Sequence, residues 1–220
     1  MQVLRAFLVL LLTVSAAGAV ELSGRAFVID GDTIEIAEQR VRIEGIDAFE
    51  LAQTCVKPNG RRWDCGAKGK VFVERLTRGK TVRCTGEQFD AYGRLIADCF
   101  AGKTNIGQAM VDAGLALAFV KYSDTYVAEQ RVAQASGKGV WNGTFTPPWE
   151  YRLGMWQAAA QDAPDPGCPI KGNISANGKI YHLPYWRWYD RTRIDTSKGE
   201  RWFCSEAEAR AAGWVASRSR

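Results

Sequence analysis

The segment AFVIDGDTIEIAEQRVRIEGIDAFE, residues 26–50, decides the fold. Apolar and polar residues alternate through most of it, as they do in strands that bury one face. Asp30-Gly31 is a hairpin signal that separates the first strand from the second. The segment therefore predicts successive strands that end in carboxylates, with Asp32 in the first turn and Asp47 after a later strand.

The rest of the first 150 residues adds strands and helices. Residues 81–84 and 95–100 alternate like strands, and residues 90–94 form a turn between them. Helices are predicted at 67–76, 105–113 and 125–136. Five strands with packed helices are typical of a small oligonucleotide/oligosaccharide-binding (OB) barrel, although the pattern alone also allows another α+β arrangement. We predict the α+β class, with a five-stranded OB-type β-barrel.

Oxygen ligands gather at the ends of the predicted strands. Two aspartates, Asp32 and Asp47, together with the backbone carbonyl of Ala48 can hold Ca²⁺, because this ion prefers carboxylate and carbonyl oxygens. Glu50 can act as a general base on a water that attacks phosphorus. Each carboxylate alone is also explained as an ordinary turn or solvated loop residue.

Two arginines accompany these carboxylates. Arg42 and Arg94 can bind phosphate oxygens through their planar guanidinium groups and stabilise the charge of a transition state. Taken singly, each also suits a surface salt bridge of little energetic value. Combined with the carboxylates, they indicate phosphodiester chemistry.

Several enzyme classes are excluded by composition. The sequence holds one histidine, His182, which rules out a two-histidine acid–base pair and zinc sites built on several histidines. It contains neither a G-x-S-x-G elbow nor a P-loop, so serine hydrolases and nucleoside triphosphatases are excluded. The net charge of +5 at pH 7 suits a polyanionic partner.

Residues from about 24 to 149 resemble the staphylococcal nuclease, or thermonuclease, family. The resemblance rests on Asp30-Gly-Asp-Thr33, on Arg42 followed by Asp47-x-x-Glu50, and on Asp90-x-Tyr-Gly-Arg94, in that order. It implies a calcium-dependent endonuclease on an OB barrel that cuts DNA and RNA with little sequence preference. By this resemblance the site residues are the calcium ligands Asp32, Asp47 and Ala48, the base Glu50, the phosphate arginines Arg42 and Arg94, and the substrate contacts Tyr92 and Tyr122.

Two positions depart from the family pattern. Phe49 stands where the family usually has proline, and because proline stiffens a loop we expect Glu50 to be held more loosely and the rate to be lower. Ala91 stands where a basic residue is sometimes found, which we expect to weaken substrate binding. Neither departure removes a ligand or a catalytic side chain, so we expect activity.

Six cysteines suggest disulfides, since an even count in an exported chain favours them. Six cysteines allow 15 pairings, and closeness along the chain and across a predicted turn favours three local ones. These are Cys55–Cys65, Cys84–Cys99 and Cys168–Cys204.

The N-terminus predicts export. Residues 1–19 have a basic start, a short apolar run and a small-residue cleavage pattern, as a signal peptide does. An uncleaved anchor is the weaker alternative, because the run is short for a membrane span. We expect a monomeric bacterial protein without a permanent membrane anchor, located in the periplasm or outside the cell.

The C-terminal residues predict a second unit. We divide the mature chain into the barrel at 20–153, a linker at 154–167 and a small domain at 168–220 that resembles the sunset domain. Its interleaved aromatic and basic residues suit single-strand binding, but so small a domain also needs its aromatics as a core. Its partner is not predicted.

We expect an exported nuclease with nucleic acid as its substrate. The alternative is a non-catalytic envelope protein that binds nucleic acid or a glycan on the same barrel.

Overall fold

The structure is a computed structural model that describes residues 18–217. The predicted signal peptide, residues 1–19, lies almost wholly outside the described residues. Within them, no helix has both the length and the apolar character needed to cross a membrane.

Short strands dominate the chain. They are β1 (Val20–Gly24), β2 (Phe27–Val28), β3 (Thr33–Ile36), β4 (Gln39–Ile43), β5 (Ile46–Ala48), β6 (Cys55–Val56), β7 (Arg62–Trp63), β8 (Val82–Phe89), β9 (Leu95–Ala101), β10 (Thr104–Asn105), β11 (Ala116–Ala118), β12 (Ile170–Ser175), β13 (Gly178–His182), β14 (Arg201–Phe203) and β15 (Val215–Ala216).

Within residues 18–217, five α-helices accompany the strands. They are α1 (Cys65–Thr77), α2 (Ile106–Asp112), α3 (Val127–Ala135), α4 (Pro148–Asp162) and α5 (Glu206–Ala211), with 3₁₀ turns at Gly139–Trp141, Tyr189–Arg191 and Thr196–Lys198.

The main sheet forms the curled half-barrel of an OB-type fold. Its seven strands run in the order β1-β8-β9-β4-β3-β2, with β10 paired to β9. Neighbours are antiparallel except β4 and β9, which are parallel. The register of β8 against β9 shifts after Thr85, and a side chain at Gly86 would collide with the Ile96 carbonyl. Because bulges increase local twist, this irregularity helps the sheet to curl.

The predicted α+β class and barrel are confirmed, with helices α1 and α2 against the sheet. The sheet has two strands more than predicted, and these are β1 at its edge and the two-residue strand β10. Alternate residues of β3, β4, β8 and β9 are buried in one apolar core, as the sequence alternation requires.

The C-terminal residues form a second, small core. A four-stranded sheet, β14-β12-β13-β15, packs around aromatic side chains that include Tyr181, Trp186, Phe203 and Trp214. These tail aromatics therefore serve largely as the core of their own module. All three predicted disulfides are present, and Cys168–Cys204 ties the start of this module to the end of β14.

The first half of the predicted linker is helical. Residues 154–162 belong to α4, which starts at Pro148, a residue well suited to the first position of a helix. The alanines of this segment favour helix, and Trp156 packs on the C-terminal core. The sequence showed no helical periodicity because α4 buries only Pro148 and Ala159 along its length.

His182 makes the stability of the C-terminal module dependent on pH. Burial and the nearby Lys171 lower the pKa of His182 from 6.5 to about 4, so the folded state keeps it neutral where the unfolded chain is protonated. We expect stability to fall as pH drops from 6.5 towards 4, on the order of 2 kcal/mol after allowance for partial solvent contact.

Urea unfolding of wild type and His182→Gln at pH 7 and pH 4.5 measures this loss. Glutamine does not titrate but can still donate to Asn173, the present partner of His182 Nε2 at 3.0 Å. An equal loss of stability in both proteins would contradict the assignment to His182.

Candidate active site

Asp32 lies in the tight turn that enters β3. Its amide donates to Asp30 Oδ1 at 3.1 Å, which shapes the turn, and its own Oδ2 accepts from the Ala48 amide at 3.1 Å. Arg42 Nη1 donates to Asp32 Oδ1 at 3.3 Å. Burial acts to raise the pKa of Asp32, but Arg42 and Arg94 outweigh it and hold this pKa below its ordinary value.

Asp47 lies on β5 and is completely buried. Arg152 forms a bidentate pair with it: Nη1 donates to Oδ1 at 3.0 Å and Nη2 to Oδ2 at 2.8 Å. Arg42 Nη2 adds a longer contact of 3.5 Å to Oδ1. Burial raises the pKa of Asp47, and the ion pair with Arg152 opposes this shift.

Glu50 follows β5 in a loop that is braced from three sides. Its amide donates to Gln53 Oε1 at 3.2 Å, and Gln53 Nε2 in turn donates to the Thr146 carbonyl at 2.6 Å. The Cys55–Cys65 disulfide joins this loop to α1. Gly66 in α1 lies so close that a side chain there would overlap the Glu50 carbonyl. The carboxylate itself accepts from Arg152 Nη1 at 3.0 Å.

Burial raises the pKa of Glu50 to about 8, and Arg152 works against this rise. A buried carboxylate with a raised pKa beside cationic groups is typical of a catalytic acid or base. The electrostatics of Glu50 thus suit proton transfer.

The packing of Phe49 does not loosen the loop that carries Glu50. The Phe49 side chain is buried and meets the Phe145 ring edge-on, with 5.4 Å between the ring centroids. Packing therefore anchors the residue before Glu50, whereas a proline would act by restricting the backbone. The lower rate expected from Phe49 stays a prediction.

The two predicted phosphate arginines face one cleft. Arg42, on β4, also lies 5.8 Å from the Phe119 ring. Arg94 ends the β8–β9 turn, where its Nε donates to Asp90 Oδ2 at 2.7 Å and its guanidinium lies 5.3 Å from the Tyr92 ring. Each guanidinium is thus held in place by a carboxylate before any ligand arrives.

The cleft has a volume of about 850 Å³, and nearly all predicted site residues line it. Asp47 is the exception, because it lies buried behind Arg42 and Arg152. The predicted substrate contacts Tyr92 and Tyr122 are 48 % and 73 % exposed at its edge. The structure therefore brings the predicted site residues together in and behind one cleft.

Sequence reasoning missed one wall of this cleft. Arg152 in α4, together with Leu183, Tyr185, Trp186 and Glu206 of the C-terminal module, lines the same space. No local motif marks these residues, because their role depends on how the second module packs against the barrel. Although burial opposes it, the carboxylates of Asp47 and Glu50 raise the pKa of Arg152, which stays charged.

The donors present fit a hard divalent cation. Asp32 and Asp47 offer carboxylate oxygens, the kind of ligand that Ca²⁺ and Mg²⁺ prefer. The positively charged Arg152 guanidinium already forms an ion pair with Asp47, so the site accommodates a positive charge.

Comparison with known families separates the two modules. The model of staphylococcal nuclease homologues matches residues 40–143, and a model described as ArfC matches residues 149–216. The resemblance of the C-terminal module to the sunset domain thus stays a prediction.

Individual relatives match the barrel. The succinoglycan biosynthesis protein ExoI of Rhizobium meliloti (strain 1021) is 33% identical over 135 residues, which are 60% of this chain and 71% of that protein. An uncharacterized endonuclease of Escherichia coli is 33% identical over 141 residues, 60% of this chain and 86% of its own length. The thermonuclease of Staphylococcus hyicus is 31% identical over 126 residues, 52% and 72% of the two chains.

Packing of Phe49 predicts a stability effect. Phe49→Ala removes a buried ring and its contact with Phe145, so we expect a loss of about 3 kcal/mol in the free energy of unfolding. We also expect faster hydrogen exchange at the Gln53 amide, which donates to the Glu50 carbonyl at 2.8 Å. Guanidinium unfolding and exchange mass spectrometry measure the two effects. Phe49→Leu is the control, and protection at Gln53 that survives Phe49→Ala would disprove the anchoring role.

Proposed function

The chain belongs to the staphylococcal nuclease homologue family, and we propose that it is a calcium-dependent nuclease that hydrolyses phosphodiester bonds of DNA and RNA with little sequence preference. The observation that carries this proposal is the convergence of Arg42, Arg94 and Glu50 on one cleft. Relatives that are named endonuclease and thermonuclease support it.

The arginines bind the phosphate. Arg42 lies on β4 and Arg94 in the turn just before β9, the strand paired with β4, so their guanidinium groups address the same phosphate oxygens from two sides. Because both are already oriented by carboxylates, they stabilise the charge of the pentacoordinate transition state without costly reorganisation.

Glu50 orients the attacking water. Its carboxylate accepts a proton from this water as the new P–O bond forms and the bond to the leaving oxygen breaks. Burial makes the ionised carboxylate a stronger proton acceptor than a solvated glutamate. Tyr92 and Tyr122 offer exposed rings for stacking against nucleotides at the edge of the cleft.

Asp32, Asp47 and the Ala48 carbonyl are the residues that would hold Ca²⁺. The ion supplies Lewis-acid stabilisation of the phosphate when it is bound.

Cleavage assays test this function directly. The mature protein, residues 20–220, is incubated with plasmid and with single-stranded DNA in calcium and in EGTA. We expect cutting in calcium and none in EGTA, and a loss of about 10²- to 10⁴-fold in Glu50→Gln, the usual contribution of a general base. Glu74→Gln, on the outer part of α1, is the matched control.

Other outcomes have defined meanings. Folded, disulfide-bonded protein that cuts nothing would overturn the proposal. Binding without cutting would favour the alternative of a non-catalytic nucleic-acid- or glycan-binding protein.

We also propose that the protein is exported from a bacterial cytoplasm. Three disulfides within the described residues support this, because disulfides persist in oxidising compartments. Expression of the full chain in a bacterial host, followed by N-terminal sequencing, is expected to give periplasmic or extracellular protein that begins near Val20. Intact chain retained in the cytoplasm would refute export.

A further inference from the structure

Arg152 reaches the carboxylates of the barrel from outside it. It lies in the first turns of α4, which leads from the barrel into the C-terminal module. Its guanidinium donates to both oxygens of Asp47, at 3.0 and 2.8 Å, and to Glu50 Oε1 at 3.0 Å. Asp47 has no exposed surface, so this pair carries much of the charge compensation at a buried carboxylate.

The C-terminal module holds Arg152 in this position. Trp156, one turn further along α4, packs on the C-terminal core. On the other side of the cleft Arg210 of α5 donates to the Ala91 carbonyl at 3.0 Å and lies 5.2 Å from the Tyr92 ring. The module is thus fastened to the barrel at two places that flank the cleft.

A divalent cation needs the oxygens that Arg152 occupies. Ca²⁺ binds carboxylate oxygens at about 2.3–2.6 Å, while the two N–H groups of Arg152 take up both oxygens of Asp47. A doubly charged ion next to the guanidinium would also be repelled by it. Bidentate pairing with Arg152 therefore opposes cation binding by Asp47.

We propose that Arg152 is an internal competitor for the divalent cation, which sets the cation affinity of the site and couples it to the docking of α4. The inference rests on the proposed function, because it takes Asp32 and Asp47 as the cation ligands. When the cation binds, Arg152 gives up Asp47. When no cation is bound, Arg152 neutralises the buried carboxylate of Asp47.

Isothermal titration with CaCl₂ tests the competition on the complete mature chain. We expect Arg152→Gln to bind Ca²⁺ about tenfold or more tightly than wild type, within the usual range of coupling between two sites. Arg152→Lys keeps the charge but cannot form the bidentate pair, so its affinity should lie between the two. Arg131→Gln, an exposed arginine of α3, is the matched control.

Thermal unfolding gives a readout that does not depend on catalysis. In EDTA we expect Arg152→Gln to have a lower Tm than wild type, because Asp47 is then buried without its partner. Saturating calcium should raise the Tm of this variant more than that of wild type. A merely structural salt bridge would lower the Tm by the same amount in EDTA and in calcium.

The two proposals fail in different ways. Equal or weaker calcium binding by Arg152→Gln, with wild type and Arg152→Lys binding normally, would overturn the competition alone. Folded wild type and Arg152→Gln that both bind no calcium would overturn the calcium site of the proposed function. Asp47→Asn should abolish calcium binding, so its titration gives the signal expected when no ion binds at this site.

Discussion

The need to neutralise buried carboxylates governs the centre of this molecule. Asp32 and Asp47 are almost wholly removed from solvent, and an unpaired charge in such a place costs several kcal/mol. Arg42 contacts both of them from within the sheet, and Arg152 completes the compensation from α4, the helix that leads into the C-terminal module. The packing of the two modules is thus tied to the same charges that the chemistry requires.

The scaffold around these charges leaves little freedom. The sheet fixes Arg42 by pairing β4 with both β3 and β9, and the β5–β11 pair fixes Asp47. The loop after β5 is held by a disulfide, by the Gln53 side chain and by the buried ring of Phe49. Such support from packed neighbours is what keeps catalytic groups in position.

Local sequence signals sufficed for the barrel and its site. The alternation in residues 26–50 predicted its strands, and family motifs placed Asp32, Arg42 and Glu50 at one cleft. The helix at 148–162 escaped prediction because it buries too few residues to show a period. Arg152 escaped as well, since a single arginine outside any motif looks like any solvated charge until the tertiary contacts are known.

The continuity of α4 means that the two modules share one structural element. The helix begins where the barrel ends, carries Arg152 near its start, and finishes against the C-terminal core. Division at the predicted boundary after residue 153 would leave Arg152 on a stub of six helical residues, too short to hold its shape in water. The isolated barrel would keep Arg152 without the rest of the helix that positions it, so the contact of Arg152 with Asp47 depends on the undivided α4.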